Sequence, residues 1–220
     1  MKFHKVYAII TLGVNPKNKL KIRRLRKMKK LTAIILSLAV VLVLFAACGG
    51  NTDNGDAGAS SYADATAVLN AVWATYAEEP DDNKFPIGGG DSANMTMDAP
   101  GKFDIAAAEE LDVTLALPAS QVANIEDAAS MMHMMMANNF TGAAYKLKEG
   151  TDVAAFAKDY QDGLNSRQWM CGFPEKFVVI KTGNFVVTAF GNGQIIELFK
   201  TKAMGALENA ELVLEGAIAA

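Results

Sequence analysis

The run Phe177-Val178-Val179-Ile180-Lys181-Thr182-Gly183-Asn184-Phe185-Val186-Val187-Thr188-Ala189-Phe190 decides the fold class. Two β-branched and aromatic stretches flank the pair Gly183-Asn184. Such residues suit a pleated surface, and a two-residue Gly-Asn link joins antiparallel strands in a tight hairpin. The stretches are apolar at nearly every position rather than at alternate ones. That predicts strands in the sheet interior, covered on both faces. Gly183 stands where the turn needs positive φ, which glycine reaches without a Cβ clash.

The flanking elements follow by periodicity. Downstream, Asn192 caps a long helix that turns Ile196, Phe199, Ala203 and Leu207 inward, and the tail from Glu211 extends it. Upstream, Thr151 caps a helix with Val153, Phe156, Tyr160 and Leu164 on its core face. Phe140 to Lys148 alternates near its end and reads as a half-buried strand. Before it, Ser120 opens a helix whose stripe is Val122, Ile125, Ala129, Met132 and Met136. Val113 to Leu117 reads as a strand closed by Pro118, after a short helix near Ile105–Glu110. Ala63 to Glu78 is a helix with Val68, Val72 and Tyr76 on one face, stopped by Pro80. Between lies a long segment, 80–112, rich in Gly, Pro and Asp. Long irregular loops are often functional. Changes at Gly89 or Asp91 are therefore expected to leave folding nearly unaltered.

The order helix, strand, helix, strand, helix, hairpin, helix predicts a single α+β domain over residues 63–220. Its expected sheet is four-stranded and mainly antiparallel, with a C-terminal β-hairpin, and is packed by helices.

Charge locates the chain. Residues 1–47 hold 11 of the 21 Lys and Arg and no Asp or Glu, and an apolar stretch, Leu31 to Ala47, follows the basic run. A basic flank, an apolar h-region and small residues make an export signal, here an N-terminal signal helix. Its 17 apolar residues sit at the short limit for a stable span. Leu44-Phe45-Ala46-Ala47-Cys48-Gly49-Gly50 resembles a lipobox, the site where bacterial lipoproteins receive diacylglycerol on Cys and are cut before it. This predicts a signal peptide over 1–47, with a possible true start at Met28, and lipidation (diacylglycerol with palmitate-type chains) at Cys48. The expected location is the extracytoplasmic face of the cell membrane, at the cell surface, with the lipid bilayer as a partner through the Cys48 diacylglycerol. Residues 48–62, poor in apolar side chains, form a flexible tether. After residue 47 the chain keeps 10 basic residues (21 − 11) and all 24 acidic ones, a net −14. That charge argues against nucleic acid as a partner.

The Met-rich run Met131-Met132-His133-Met134-Met135-Met136, the strand after it, the Gly150-Thr151-Asp152-Val153 helix entry and the hairpin with Gly183 resemble a group of small clostridial (Firmicutes) lipoproteins. The likeness spans roughly residues 63–208. It implies the anchor and a single α+β domain of unknown function, and it implies no chemistry.

Chemistry has few candidates. The Met run, with Met131, Met132, His133 and Met135 as candidate ligand-binding residues, suits a core stripe or an adaptable partner surface. Soft thioethers beside an imidazole (Met132, His133 and Met136) are the alternative, a Met/His copper site. His133 is the one histidine after the export segment, and no His-Glu-x-x-His, Cys-x-x-Cys or phosphate-loop pattern occurs. Cys171 reads as a small buried hydrophobe. No catalytic residue, metal or cofactor is expected. The reading is a membrane-anchored binding or interaction module for an unknown protein, peptide or small ligand. A surface hydrolase using the acidic residues of 80–112 is the other alternative.

The anchor has a direct test. Cys48→Ser in a bacterial host should leave the chain unlipidated and move it out of the membrane fraction. A variant that stays membrane-bound at the same mass as the parent would refute the lipoprotein reading.

Overall fold

The computed structural model describes residues 61–135, 139–170 and 172–219. The signal segment, Cys48, most of the tether, Met136 and Cys171 lie outside the described residues. Among the described residues are five α-helices: α1 (Ala65–Ala74), α2 (Ala108–Leu115), α3 (Ala119–Val122), α4 (Val153–Ser166) and α5 (Gly193–Ala206). Eight strands form one sheet: β1 (Ile87–Gly89), β2 (Thr96–Met97), β3 (Gly101–Phe103), β4 (Ile125–His133), β5 (Phe140–Leu147), β6 (Lys176–Thr182), β7 (Phe185–Gly191) and β8 (Glu211–Ala217). Their order is β2-β1-β4-β5-β7-β6-β8, every pairing is antiparallel, and β3 pairs with β4 beside β1.

Helices cover the sheet on both sides. Val68, Leu69 and Val72 of α1 with Ile196, Phe199 and Ala203 of α5 close on Met131, Ala144, Val178, Ile180 and Val187. Leu111 and Leu115 of α2 with Phe156, Tyr160 and Leu164 of α4 close on Phe103, Tyr145, Phe177, Val179 and Phe190. Alternate residues of β6 and β7 thus serve different cores, which is why both strands are apolar throughout. The hairpin turns at Gly183 with φ 55°, while Asn184 keeps negative φ, as in a type II′ turn.

The expected four-stranded sheet is overturned: the sheet has eight strands. Three corrections carry this. The stretch 125–133, expected to be helical, is strand β4, because Ala128, Ala129, Ser130 and Met131 are buried in succession between the two cores. A strand covered on both faces lacks a period of two, and its Ala and Met then mimic a helix stripe. The tail from Glu211, expected to extend the last helix, is β8 on the outer edge of β6. The segment 80–112 is not one irregular loop but holds β1, β2 and β3. In the opposite sense, Val113 to Leu115 ends helix α2, with Ala116 left-handed at its C-terminus, although a strand is expected there. Arg167 holds that end by donating to the Asp112 and Val113 carbonyls at 2.7 and 3.4 Å. The cap of α4 is Asp152 rather than Thr151, its Oδ1 accepting from Ala154 and Ala155 at 2.9 and 3.1 Å. Asn192 caps α5 in the same way.

Gly89 and Asp91 are also corrected. A Cβ on Gly89 would lie 2.1 Å from the Gly101 nitrogen, so β1 and β3 meet backbone on backbone. Asp91 is buried and gathers four donors. These positions build the fold rather than decorate it.

Gly183→Val combined with Val187→Ala strains the turn and removes two methyls from a fully buried side chain. The expected loss is about 2–5 kcal/mol, which lowers the melting temperature by about 5–15 °C in a scanning melt.

Candidate functional site

At the end where β2, β1 and β4 meet, one face of the sheet meets helix α2, whose Glu110 and Thr114 wall a pocket. Gly88 of β1 pairs with Met97 of β2 on one side and Met132 of β4 on the other. Residues paired across strands point to the same face, so Met97 and Met132 flank Gly88 there. Met134 reaches the same place: a Cβ on Gly88 would lie 2.8 Å from the Met134 Sδ. A pocket of about 360 Å³ opens here, lined by Met95, Met132, Met134, Asp91, Glu110 and Thr114 among others.

Large apolar side chains stay in solvent around it. Met95 is 65% exposed, Met97 60%, Met134 45% and Met135 58%. Scattered exposed apolar residues are ordinary, but a cluster marks an interaction site.

The two carboxylates of the pocket are tied into loops. Asp91 Oδ1 accepts from the N–H groups of Ala93 and Asn94 at 2.9 and 2.8 Å, and its Oδ2 from Asp104 at 2.7 Å. The Asn94 side chain also donates to it. Burial alone would raise the Asp91 pKa, yet the Asn94 amide and these N–H groups outweigh it and hold the carboxyl below its ordinary value. Glu110, in the first turn of α2, accepts from Ser92 N and Oγ at 2.7 and 3.1 Å.

His133 also lines this pocket, with its ring turned to the opposite face of the strand. Its ring stacks on Phe85 with centroids 4.8 Å apart and planes at 4°. Its Nδ1 accepts from the Met135 N–H at 2.9 Å, which leaves the proton of a neutral ring on Nε2. Burial pushes its pKa below the ordinary histidine value. A separate pocket of about 360 Å³ adjoins it, lined by Asn83, Lys84, Phe85, Asn192, Gln194 and their neighbours.

The structure therefore divides the sequence candidates. Met131 is wholly buried in the core under α1 and α5. Met132 is half-buried in the methionine pocket, His133 belongs to the other face, and Met135 is exposed beyond the strand. Met132 and His133, adjacent in one strand, point to opposite sides of the sheet. Met95 and Met97 join the site although the run 131–136 does not point to them. Their signal was the alternation Met95-Thr96-Met97, although only Thr96 and Met97 are in strand β2.

Family models, curated proteins and solved structures contain no match to this chain. Among the described residues, no helix is long and apolar enough to cross a membrane, and no group of three or more His, Cys, Asp or Glu side chains is placed to hold a metal ion.

The bonds to Asp91 give the domain an acid-sensitive part. A lowered folded pKa contributes stability that is present above the unfolded value, 3.8, and lost as pH falls through the folded one. Asp91→Asn should be less stable than the parent near neutrality by about 2–3 kcal/mol. Urea melts taken down the acid range should converge as pH drops, because only the parent loses this term. Parallel curves would show that Asp91 has no such role.

Proposed function

We propose that the chain is a membrane-anchored extracytoplasmic lipoprotein that acts as a binding module, with the methionine pocket as its ligand site. The likeness to small clostridial lipoproteins and the basic-apolar-Cys48 succession support the anchor. The observation that carries the site is the exposure of Met95, Met97, Met134 and Met135 near the corner where β2, β1 and β4 meet. Methionine is flexible and polarisable, so a surface of it adapts to what it holds. The net −14 after residue 47 keeps phosphate-rich partners away.

The hydrolase alternative draws no support from the same corner. A general acid or base must be free to exchange a proton with substrate, whereas Asp91 is saturated with donors and Glu110 is bound to Ser92. The Met/His copper alternative draws no support from the His133 ring, which stacks on Phe85 on the side of β4 away from Met132.

A photo-crosslinking amino acid at position 135, beside the pocket, tests the reading in cells. The expected result is a light-dependent adduct of defined mass. It should be absent from the same substitution at position 204 on α5, and lost when Met132→Lys places a charge on the pocket floor. Equal labelling at both positions, or labelling unchanged by Met132→Lys, would refute the site.

A further inference from the structure

We propose that the pocket holds a soft monovalent cation, Cu(I), above Gly88, on the thioether sulfurs of Met132 and Met134, which line it, and of Met97, which pairs with Gly88 at its edge, with Met95 as a further donor. This rests on the binding reading and adds to it an ion on the pocket floor, beneath the larger partner that crosslinks at position 135.

The register supplies the geometry. Met97 and Met132 are each one strand away from Gly88, on the same face. Neighbouring strands lie about 4.8 Å apart, so the two Cα atoms are separated by roughly 9–10 Å. A point midway above Gly88 is within reach of both side chains, which have three rotatable bonds each. The Met134 sulfur already occupies that space, 2.8 Å from where a Gly88 Cβ would stand. Any side chain at 88 would fill the point where the three sulfurs can meet. The glycine thus does for the cluster what a cavity does for a ligand.

The chemistry selects the ion. Thioethers are soft, neutral ligands that favour Cu(I) over hard cations, which prefer oxygen. The nearby carboxylates of Asp91 and Glu110 and the net negative charge draw cations toward the pocket without supplying the bonds. Binding forms dative S–Cu bonds and displaces the ion's solvent ligands. Copper stays Cu(I), no bond in the protein breaks, and no proton leaves, because a thioether has none. That last point separates this site from thiolate or imidazole sites, whose affinity falls as their ligands take up protons. His133, on the other face, takes no part.

The test is anaerobic titration of the full-length chain, in a non-ionic detergent, with Cu(I) against a chromophoric Cu(I) chelator. Stoichiometric Cu(I) should bind, with little change between neutral and mildly acidic pH, and Zn(II) should not compete. The variant Met97→Leu/Met132→Leu/Met134→Leu keeps the volume and apolarity of the pocket, and it should lose stoichiometric binding. Met170→Leu/Met204→Leu, which alters exposed methionines elsewhere, should retain it. Gly88→Ala should weaken binding as well, and circular dichroism checks that each variant is folded. Absence of Cu(I) binding in the parent would overturn the proposal. So would binding that survives the triple leucine variant, or binding lost in proportion to protonation of a histidine. Crosslinking at position 135 that persists in the triple leucine variant, with no Cu(I) bound by the parent, would overturn the metal while leaving an apolar ligand in the pocket.

Discussion

Burial of one antiparallel sheet on both faces is the constraint on which the rest depends. Antiparallel sheets often leave one face to water, and their strands then alternate. Here α1 and α5 take one face while α2 and α4 take the other. Every residue of β7 is buried as a result, and most of β4, β5 and β6 with it. Polar groups that enter this layer must find partners inside the protein. Ser130 does so by accepting from Gly90 N–H and donating to its carbonyl, at 2.9 and 3.1 Å. That exchange ties β4 to the loop at the sheet corner and fixes where β1 ends.

The same constraint explains which elements were legible in the sequence. The hairpin, β5, α1, α4 and α5 could be read because a turn pair, a cap or a one-sided stripe marked each of them. Strand β4 could not, since burial on two faces erased its alternation and its Ala and Met residues are good helix formers. Strand β8 is largely exposed at the sheet edge, and Glu211-Leu212-Val213-Leu214-Glu215 carries no signal that separates it from a continuing helix. In β1 and β3 the information lies in backbone contact between Gly89 and Gly101, twelve positions apart, and no apolar periodicity encodes it.

Legibility of the site was partial for a related reason. The run 131–136 stood out as unusual, but a run says nothing about faces. A strand deals its side chains alternately to opposite sides, so Met131 and His133 went one way and Met132 and Met134 the other. Met131 became core, and His133 became a stacking partner for Phe85. Met97 arrives from β2 through pairing with Gly88, Met95 from the turn just before it, and both could be joined to Met132 only by knowing the register.

The pocket sits where the fold has least to hold it together. Strand β2 is joined to β1 by two residue pairs, and β1 to β4 by two more. Local opening free energies are lowest where few contacts secure an element, so this corner should open before the central strands do. Its rim is held by the bonds to Asp91, by Glu110 reaching Ser92 and by Ser130 reaching Gly90. A ligand touching Met97 and Met132 together would bridge β2 to β4 across β1 and add its binding free energy to those pairings. Ligand occupancy and closure of the corner are then the same equilibrium, coupled through Gly88. The weak pairing that would let the corner adapt to a ligand would therefore also make the domain responsive to one.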